Sequence, residues 1–140
     1  MDKMVKVWDL KTAKNVVNFD QSEGGITGLA FLNNGDQFVG SSLDGRLYWW
    51  GVGYDTKTKS YNGYHFRTIG AHNGAVYTLS GSADGNRIIT GGVDHAICIW
   101  DLNSVCQLPA FRDTTATPLY AGAPNSHGTL AAAGGRDCLM

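Results

Sequence analysis

Short hydrophobic runs separated by turn-forming residues recur along the whole chain. In residues 71–102, where this pattern is clearest, three such runs occupy positions 75–79, 87–90 and 96–100. The segments between them are rich in Gly, Asn and Asp, and runs bounded in this way predict β-strands joined by tight turns. No segment has the 3.6-residue periodicity of an amphipathic helix. We therefore expect an all-β protein.

The pattern of turn and strand repeats along the sequence. Four aspartates in predicted turns lie 42, 50 and 43 residues apart: Asp2, Asp44, Asp94 and Asp137. A tryptophan follows each of the first three by six residues: Trp8, Trp50 and Trp100. We interpret these residues as the turn and core positions of a repeat. The spacing resembles the WD-repeat family, in which each repeat forms one four-stranded antiparallel sheet, or blade, of a β-propeller.

The phase of the repeat predicts how the 140 residues are divided. Residues 1–19 would form the second half of a blade, 20–69 and 70–111 two complete blades, and 112–140 the first half of another. About three blades are fewer than the four to eight of a closed propeller, so we expect an incomplete ring. The two half blades are complementary, and the alternatives are completion by a second chain or by sequence outside these residues.

A hydrogen-bond network is expected within residues 70–111. His72 before the first strand, Thr90 in the second, Asp94 in the following turn and Trp100 in the third can converge and satisfy one another's polar groups. A His, an Asp and a hydroxyl also suggest a hydrolase triad, but a triad needs an exposed nucleophile, and Thr90 lies within a strand.

Residues 20–69 lack two members of that network. Gly24 and Gly25 stand where the histidine is expected, and Gly40 stands where the hydroxyl is expected. We therefore predict that packing, rather than that hydrogen-bond network, holds this blade. Trp49 beside Trp50 places one indole on each face of the sheet.

A narrower resemblance covers residues 26–101. The segments that carry it read ITGLAFLNNGD (26–36), SLDG (42–45), LYWWGVG (47–53), GAHNGAVYTL (70–79) and GGVD (91–94). They are similar to blades of the echinoderm microtubule-associated protein-like family. That resemblance implies a structural scaffold without catalytic activity or cofactor, binding tubulin or microtubules in the cytoskeleton or in a cilium or flagellum. The alternative is a WD-repeat adaptor for other proteins in a cytoplasmic complex.

The longest connection, residues 51–70, offers candidate partner-binding residues. We expect its outer strand at 65–69 and an insertion at 54–64, which either carries function or is a simple hairpin extension. With the turns of the predicted upper rim it gives these candidates: Leu43, Arg46, Tyr54, Lys57, Lys59, Tyr61, Tyr64, His95 and Arg136. A lysine cluster near residues 3–14 is either a solvated edge or a site for an acidic partner.

Composition argues against several other functions. The formal net charge of −1 gives no general attraction to nucleic acid or to an anionic membrane. Three cysteines, Cys98, Cys106 and Cys138, lack metal-ligand spacing and suggest reduced thiols. No apolar run reaches the roughly 18 residues of a membrane span, and no catalytic, metal-binding or phosphate-binding motif is present. We expect a cytoplasmic protein that is not an enzyme and has no small-molecule substrate.

Overall fold

The computed structural model describes residues 3–32, 35–104, 106–108, 110–112, 118–127 and 129–135. This part of the chain is all β and contains no helix. Its strands are β1 (Val5–Asp9), β2 (Lys14–Phe19), β3 (Ile26–Phe31), β4 (Gln37–Ser42), β5 (Arg46–Asp55), β6 (Ser60–Gly70), β7 (Val76–Gly81), β8 (Arg87–Gly92), β9 (Ala96–Asp101), β10 (Cys106–Gln107), β11 (Phe111–Arg112), β12 (Leu119–Pro124) and β13 (Ala131–Gly135).

The strands form four antiparallel sheets that follow one another along the chain. Sheet 1 contains β1 and β2, sheet 2 has the order β3-β4-β5-β6, sheet 3 joins β7, β8 and β9, and sheet 4 contains β12 and β13. The outer position of sheet 3 is shared by two short strands, β10 and β11, which both pair with β9. Partial WD-propeller blades have this architecture, so the predicted fold class is confirmed.

The hairpin of β5 and β6 is longer than the sequence predicted. Pairing continues without a gap from Arg46 opposite Gly70 to Asp55 opposite Ser60, with one bulge beside Trp50. Residues 54–64 are therefore not a separate insertion: most of them prolong the two outer strands, and Lys59 closes the turn with a positive φ of 53°. The simpler alternative, a hairpin extension, is the one that the structure has.

The main core lies between sheets 2 and 3. It contains Val39, Leu47, Trp49, Ile88, Ala96, Cys98 and Trp100. The inner strands β4 and β8 are buried on both faces, because a neighbouring sheet covers each side. Burying each large apolar side chain contributes about 1.5–3 kcal/mol, so this interface is a principal source of stability.

A second core lies between sheets 1 and 2. Val5, Phe19, Phe38, Tyr48 and Trp50 are buried there, and the Tyr48 and Trp50 rings stack with centroids 5.6 Å apart. Trp49 and Trp50 thus enter different cores, as their alternation predicted.

Trp8 contradicts the prediction that it is a core residue, since 54% of it is exposed. In the complete sheets the matching tryptophan contacts the second strand, as Trp50 does at Gly40 and Trp100 at Thr90. Within the described residues sheet 1 has no second strand, so the Trp8 indole has no surface to cover it.

Sheet 4 packs on sheet 3 through Leu119, which is buried, while every residue of β13 is exposed. The predicted turn residue Asp137 and the candidate Arg136 lie outside the described residues, as do Asp2 and Cys138. Cys98 is buried in the main core.

Candidate functional site

The predicted polar residues of sheet 3 lie together. His72 Nδ1 is 2.8 Å from Asp94 Oδ1, and His72 Nε2 is 2.8 Å from Thr90 Oγ1. The Trp100 indole N–H donates to Thr90 Oγ1 at 3.1 Å. The network therefore connects the loop before β7 to strands β8 and β9 and to the turn between them.

A neutral His72 side chain with its proton on Nδ1 fits this geometry. Nδ1–H donates to the Asp94 carboxylate, and Nε2 accepts from the Thr90 hydroxyl, which itself accepts from Trp100. Asp94 also accepts from the backbone N–H groups of Asn73 and Ala96. Burial would raise the pKa of Asp94, but the hydrogen bonds from His72 and Asn73 outweigh it and leave the pKa below its ordinary value.

This arrangement resembles a hydrolase triad only in composition. Thr90 is completely buried, at 0% exposure, and its hydroxyl is held between His72 and Trp100. The His72 side chain is also fully buried. A substrate cannot reach the hydroxyl, so the network can hold the sheet together but cannot deliver an exposed nucleophile.

Sheet 2 has a different network at the corresponding place. The Tyr48 hydroxyl donates to Asp44 Oδ2 at 2.6 Å and accepts from the Glu23 N–H at 3.2 Å. The Trp50 indole N–H donates at 3.2 Å to Oε1 of Gln21, which lies in the loop that precedes β3. The histidine network is absent from this sheet, as predicted, but hydrogen bonds of other residues act beside the packing.

Buried serines extend the second network. Ser22 Oγ donates to the Gly24 carbonyl at 2.7 Å and lies 3.2 Å from Ser42 Oγ. A second pair, Thr27 and Ser41, has hydroxyls 2.8 Å apart. The contact of Ser22 with Ser42 attaches the loop before β3 to the end of β4, and the contact of Thr27 with Ser41 joins β3 to β4. In sheet 3, His72 and Asp94 attach the corresponding loop.

Close packing excludes the histidine arrangement from sheet 2. A Cβ added at Gly24 would lie 2.7 Å from both Asp44 N and Ser42 Oγ, and one at Gly40 would lie 2.7 Å from the Trp50 ring. In sheet 2 Tyr48 replaces the histidine as the hydrogen-bond partner of the turn aspartate, and the sequence analysis did not predict this role. Its signal was a tyrosine four residues after the turn aspartate and two before the tryptophan.

The predicted rim candidates occupy the turns that follow the second strands. Leu43 and Arg46 flank the turn between β4 and β5, and Gly45 O in that turn accepts from the Ala71 and His72 backbone N–H groups. His95 occupies the equivalent turn of sheet 3, with a positive φ of 63°.

Arg46 already has a partner of opposite charge within this chain. Its guanidinium pairs with the Glu23 carboxylate, and hydrogen bonding to Tyr48 and then to Glu23 raises its pKa above the ordinary value.

The tyrosine and lysine candidates lie at the other end of sheet 2. Arg46 begins β5 and Tyr54 lies near its end; this 10-residue strand is about 30 Å long. The prediction of one rim containing both groups is therefore wrong, because antiparallel strands place successive turns at opposite ends of a sheet.

We call the far end the hairpin surface; it consists of Tyr54, Lys57, Lys59 and Tyr61, whereas Tyr64 projects from the opposite face of the hairpin. Tyr54 and Tyr61 meet edge to face with ring centroids 5.0 Å apart, and Tyr64 packs against Phe66 at 5.9 Å. Tyr54 and Tyr61 also border a cleft of about 470 Å³ between this hairpin and the turn that joins β1 to β2, with Lys14 and Lys59 at its margin. All three tyrosines are exposed.

A metal site and a membrane-spanning helix are both absent from the described residues. No group of three or more His, Cys, Asp or Glu side chains there is placed to hold a metal ion. Nor does this part of the chain contain a helix long and apolar enough to span a membrane.

Comparison with known proteins identifies the repeat. Residues 13–51 and 63–101 each match the family model described as WD domain, G-beta repeat. The chain belongs to the WD-repeat family. Each matched range contains a fourth strand followed by the first three strands of the next sheet, and each includes the tryptophan of a third strand, Trp50 or Trp100.

Three curated proteins are similar to this chain. "Protein ROOT INITIATION DEFECTIVE 3" of Arabidopsis thaliana is 29% identical over 74% of this chain and 23% of its own length. "Protein tipD" of Dictyostelium discoideum is 30% identical over 72% of this chain and 15% of its own. "Anaphase-promoting complex subunit cdc20" of the same organism is 29% identical over 94% of this chain and 25% of its own.

The chain thus spans a quarter or less of each of these relatives. The similarity supports the WD-repeat family and does not bear on the echinoderm microtubule-associated protein-like resemblance, which stays a prediction.

Proposed function

We propose that this chain is a non-catalytic scaffold that binds other proteins through the hairpin surface. The observation that carries the proposal is the separation of roles within two WD repeats. The buried polar groups hold the sheets together, whereas exposed aromatic and cationic side chains gather at one end of sheet 2. WD repeats typically mediate protein–protein interactions, and one relative is by name a subunit of the anaphase-promoting complex.

The composition of the hairpin surface fits a protein interface. Tyrosine is enriched among the residues that dominate binding energy, since it buries a large apolar ring and keeps a polar hydroxyl. Tyr54 and Tyr61 are already packed against each other, so a partner would meet a partly ordered pair of rings. Ordering side chains before binding reduces the entropy lost on association.

Charge favours a partner with acidic residues. Lys14, Lys57 and Lys59 are exposed around the tyrosines. Two carboxylates lie nearby: Asp9 accepts from the backbone N–H groups of residues 11 and 12 and from the Tyr61 hydroxyl, and Asp55 accepts from the backbone N–H of Lys57. These bonds lower the pKa of both acids, so both stay ionised, and the three lysines exceed these two negative charges. Complementary charge would speed association and orient the partner.

The narrower proposal is that the partner is tubulin or microtubules, with the protein in the cytoplasm at the cytoskeleton or in a cilium or flagellum. It is supported only by the resemblance of residues 26–101 to the echinoderm microtubule-associated protein-like family. The alternative partner is a component of another cytoplasmic complex, for which the cdc20 relative is the precedent.

Co-sedimentation with purified microtubules separates these partners. We expect the wild-type chain to pellet with microtubules and a Lys57→Glu/Lys59→Glu variant to remain in the supernatant. Arg67→Glu is the matched control, because it reverses the charge of an exposed residue of β6 away from the hairpin turn and should pellet normally. A wild-type chain that stays in the supernatant would exclude the microtubule partner, and equal loss in both variants would refute the hairpin surface.

A second assay tests the absence of catalysis. A screen with ester, amide and phosphate substrates should show no turnover. Turnover that disappears in a His72→Ala variant, while the fold is retained, would contradict the proposal.

A further inference from the structure

The turns that follow the third strands of sheets 1 and 2 are alike in sequence and in backbone. They read DLKTAK (9–14) and DTKTKS (55–60). In each, the first aspartate accepts a hydrogen bond from the backbone N–H of a lysine two positions later, Lys11 at 2.7 Å and Lys57 at 2.8 Å. The fifth residue of each turn has a φ of 53°. The two turns therefore present side chains from equivalent positions of neighbouring sheets.

The corresponding turn of sheet 3 has the same aspartate but no lysine. Asp101 accepts from the backbone N–H groups of Asn103 and Ser104, both at 2.9 Å. Asn103 stands where the other two turns have Lys11 and Lys57. An aspartate that bonds to the backbone ahead of it is therefore sufficient to form this turn. The fold does not require the lysines of the first two turns, so they are candidates for binding.

Four lysines of these turns form a local positive patch. Lys11, Lys14, Lys57 and Lys59 are all exposed, and none of them forms an ion pair with a carboxylate of the described residues. They are four of the 11 basic residues in a chain whose formal net charge is −1. Four lysines against two capping aspartates leave this patch with an excess of about two positive charges.

The cleft between the two turns adds an aromatic surface to the patch. It has a volume of about 470 Å³, and Tyr54 and Tyr61 line it together with Lys14 and Lys59. The Tyr61 hydroxyl donates across the cleft to Asp9 Oδ2 at 3.5 Å. The cleft thus combines exposed rings with ammonium groups.

Close packing beside the cleft holds its two walls together. A Cβ added at Gly63 would overlap Val17 and Phe19, so β6 lies directly against β2. Each wall includes a turn that joins two paired strands, β1 with β2 and β5 with β6, and the cleft therefore does not depend on an unpaired strand edge. A groove that is formed before binding loses less entropy on association.

We propose that these two turns and the cleft between them hold an extended acidic segment of a partner protein. Carboxylates of the segment would pair with lysines of both turns, and an apolar side chain between them would lie on the Tyr54 and Tyr61 rings. This inference rests on the proposed function, because it specifies the partner of the hairpin surface, and it adds the turn at 9–14 to that surface.

The size and charge of the site favour this occupant. The cleft volume lies in the range of small-molecule sites, about 300–1,000 Å³, so it has room for a few side chains of an extended segment. A nucleic acid fits less well, because Asp9 and Asp55 are ionised beside the lysines and would repel a phosphate on every nucleotide. A peptide can place an uncharged residue next to each aspartate.

Fluorescence polarisation with labelled peptides tests the chemistry of the occupant. The probe is a fluorescein-labelled run of glutamates with one central phenylalanine, added to the 140-residue chain. A peptide with glutamine in place of every glutamate should bind at least about tenfold more weakly, since it loses several exposed ion pairs. A peptide with serine in place of the phenylalanine should also bind more weakly. Absence of saturable probe binding, equal binding of the glutamine peptide, or tighter binding of a single-stranded oligonucleotide would overturn the proposal.

Charge reversal in each turn tests the geometry of the site. Lys11→Glu/Lys14→Glu and Lys57→Glu/Lys59→Glu should each weaken probe binding at least about tenfold, with the urea midpoint of the wild type. Asn103→Glu, at the equivalent position of the sheet 3 turn, is the control and should bind normally. Wild-type affinity in the 11/14 variant, or an equal loss in the control, would refute the two-turn site.

The aromatic contact has its own readout. Tyr54→Ala should bind the phenylalanine and serine peptides equally, while it still prefers glutamate to glutamine. A preference for phenylalanine that survives in this variant would contradict the placement of the apolar side chain on the tyrosines.

The outcomes also separate this inference from the proposed function. If the probe does not bind but Lys57→Glu/Lys59→Glu still abolishes co-sedimentation, the acidic segment is wrong and the hairpin surface stands. If the probe binds with equal affinity to that variant and to the wild type, both the two-turn site and the hairpin surface are wrong.

Discussion

Sheets 2 and 3 have the same strand order and the same bulge, yet different polar side chains hold them. In sheet 3 a buried His72 bridges Asp94 and Thr90, and Trp100 completes the chain of hydrogen bonds. In sheet 2 a tyrosine from the third strand reaches its turn aspartate, and Gln21 receives the tryptophan N–H. The comparison indicates that a blade needs its entry loop tied to its inner strands, and that more than one set of residues can do this.

The difference follows from space around the tryptophan. In sheet 3 the Thr90 hydroxyl occupies the position beside the Trp100 indole N–H. In sheet 2 the Trp50 ring lies against Gly40 and leaves no room for a side chain there. The Trp50 indole N–H therefore donates to Gln21 in the loop before β3, and Tyr48 takes the place of the histidine as the partner of the turn aspartate.

Removing a core tryptophan should have the largest effect. Trp100→Ala should lower the free energy of unfolding by about 3–5 kcal/mol, because it empties a large volume in the main core and leaves Thr90 without its donor. Urea denaturation followed by circular dichroism measures this. Trp8→Ala, at the matching position of sheet 1, is the control and should cost far less in the single chain. Equal losses would contradict the assignment of the two positions.

Adding a methyl group at Gly40 should have the next largest effect. Gly40→Ala places a Cβ 2.7 Å from the Trp50 ring, and overpacking of this kind costs about 1–3 kcal/mol. Gly53→Ala is the matched control, since no atom lies within 4 Å of its added Cβ, and should change the free energy by about 0.5 kcal/mol or less. If the two variants unfold at the same urea concentration, the close approach of Trp50 to Gly40 is wrong.

Loss of the Tyr48 hydroxyl should be smaller but measurable. Tyr48→Phe removes the donor to Asp44 and the acceptor for the Glu23 N–H, which should cost roughly 1.5 kcal/mol at this buried position. Tyr54→Phe on the exposed hairpin surface should be nearly neutral in the same urea experiment. An unaltered Tyr48→Phe variant would mean that packing alone holds sheet 2.

Acid should weaken the sheet 3 network in a defined direction. Because the folded pKa of Asp94 is below its ordinary value, its carboxylate stabilises the fold above about pH 4 and loses that contribution as the pH falls through the folded pKa. Asp94→Asn lacks this contribution at every pH. The difference in unfolding free energy between wild type and variant should therefore shrink between pH 6 and pH 3, and a constant difference would contradict the assignment.

The sequence predicted what depends on repeated spacing. The regular spacing of the turn aspartates and of the tryptophans six residues after them indicated the two complete sheets. The alternation of Trp49 and Trp50 indicated two cores. The residues His72, Thr90, Asp94 and Trp100 were recognisable because they stand in the usual positions of one repeat.

Contacts between distant segments were not predictable in this way. Glu23, which donates to Tyr48, and Gln21, which accepts from Trp50, lie in a loop more than twenty residues earlier, and no local pattern specifies these two contacts. The exposure of Trp8 depends on which strands accompany sheet 1, and within the described residues it has two. The distance between Arg46 and Tyr54 depends on how far β5 continues, which the polar sequence of residues 54–64 concealed.

Hydrogen–deuterium exchange of the inner strands tests most directly whether the two networks perform the same structural task. β4 and β8 are both buried on two faces, so their central amides, at Val39 and Gly40 and at Ile89 and Thr90, should exchange slowly and at comparable rates. Amides of β4 that exchange orders of magnitude faster than those of β8 would show that the tyrosine network does not replace the histidine network.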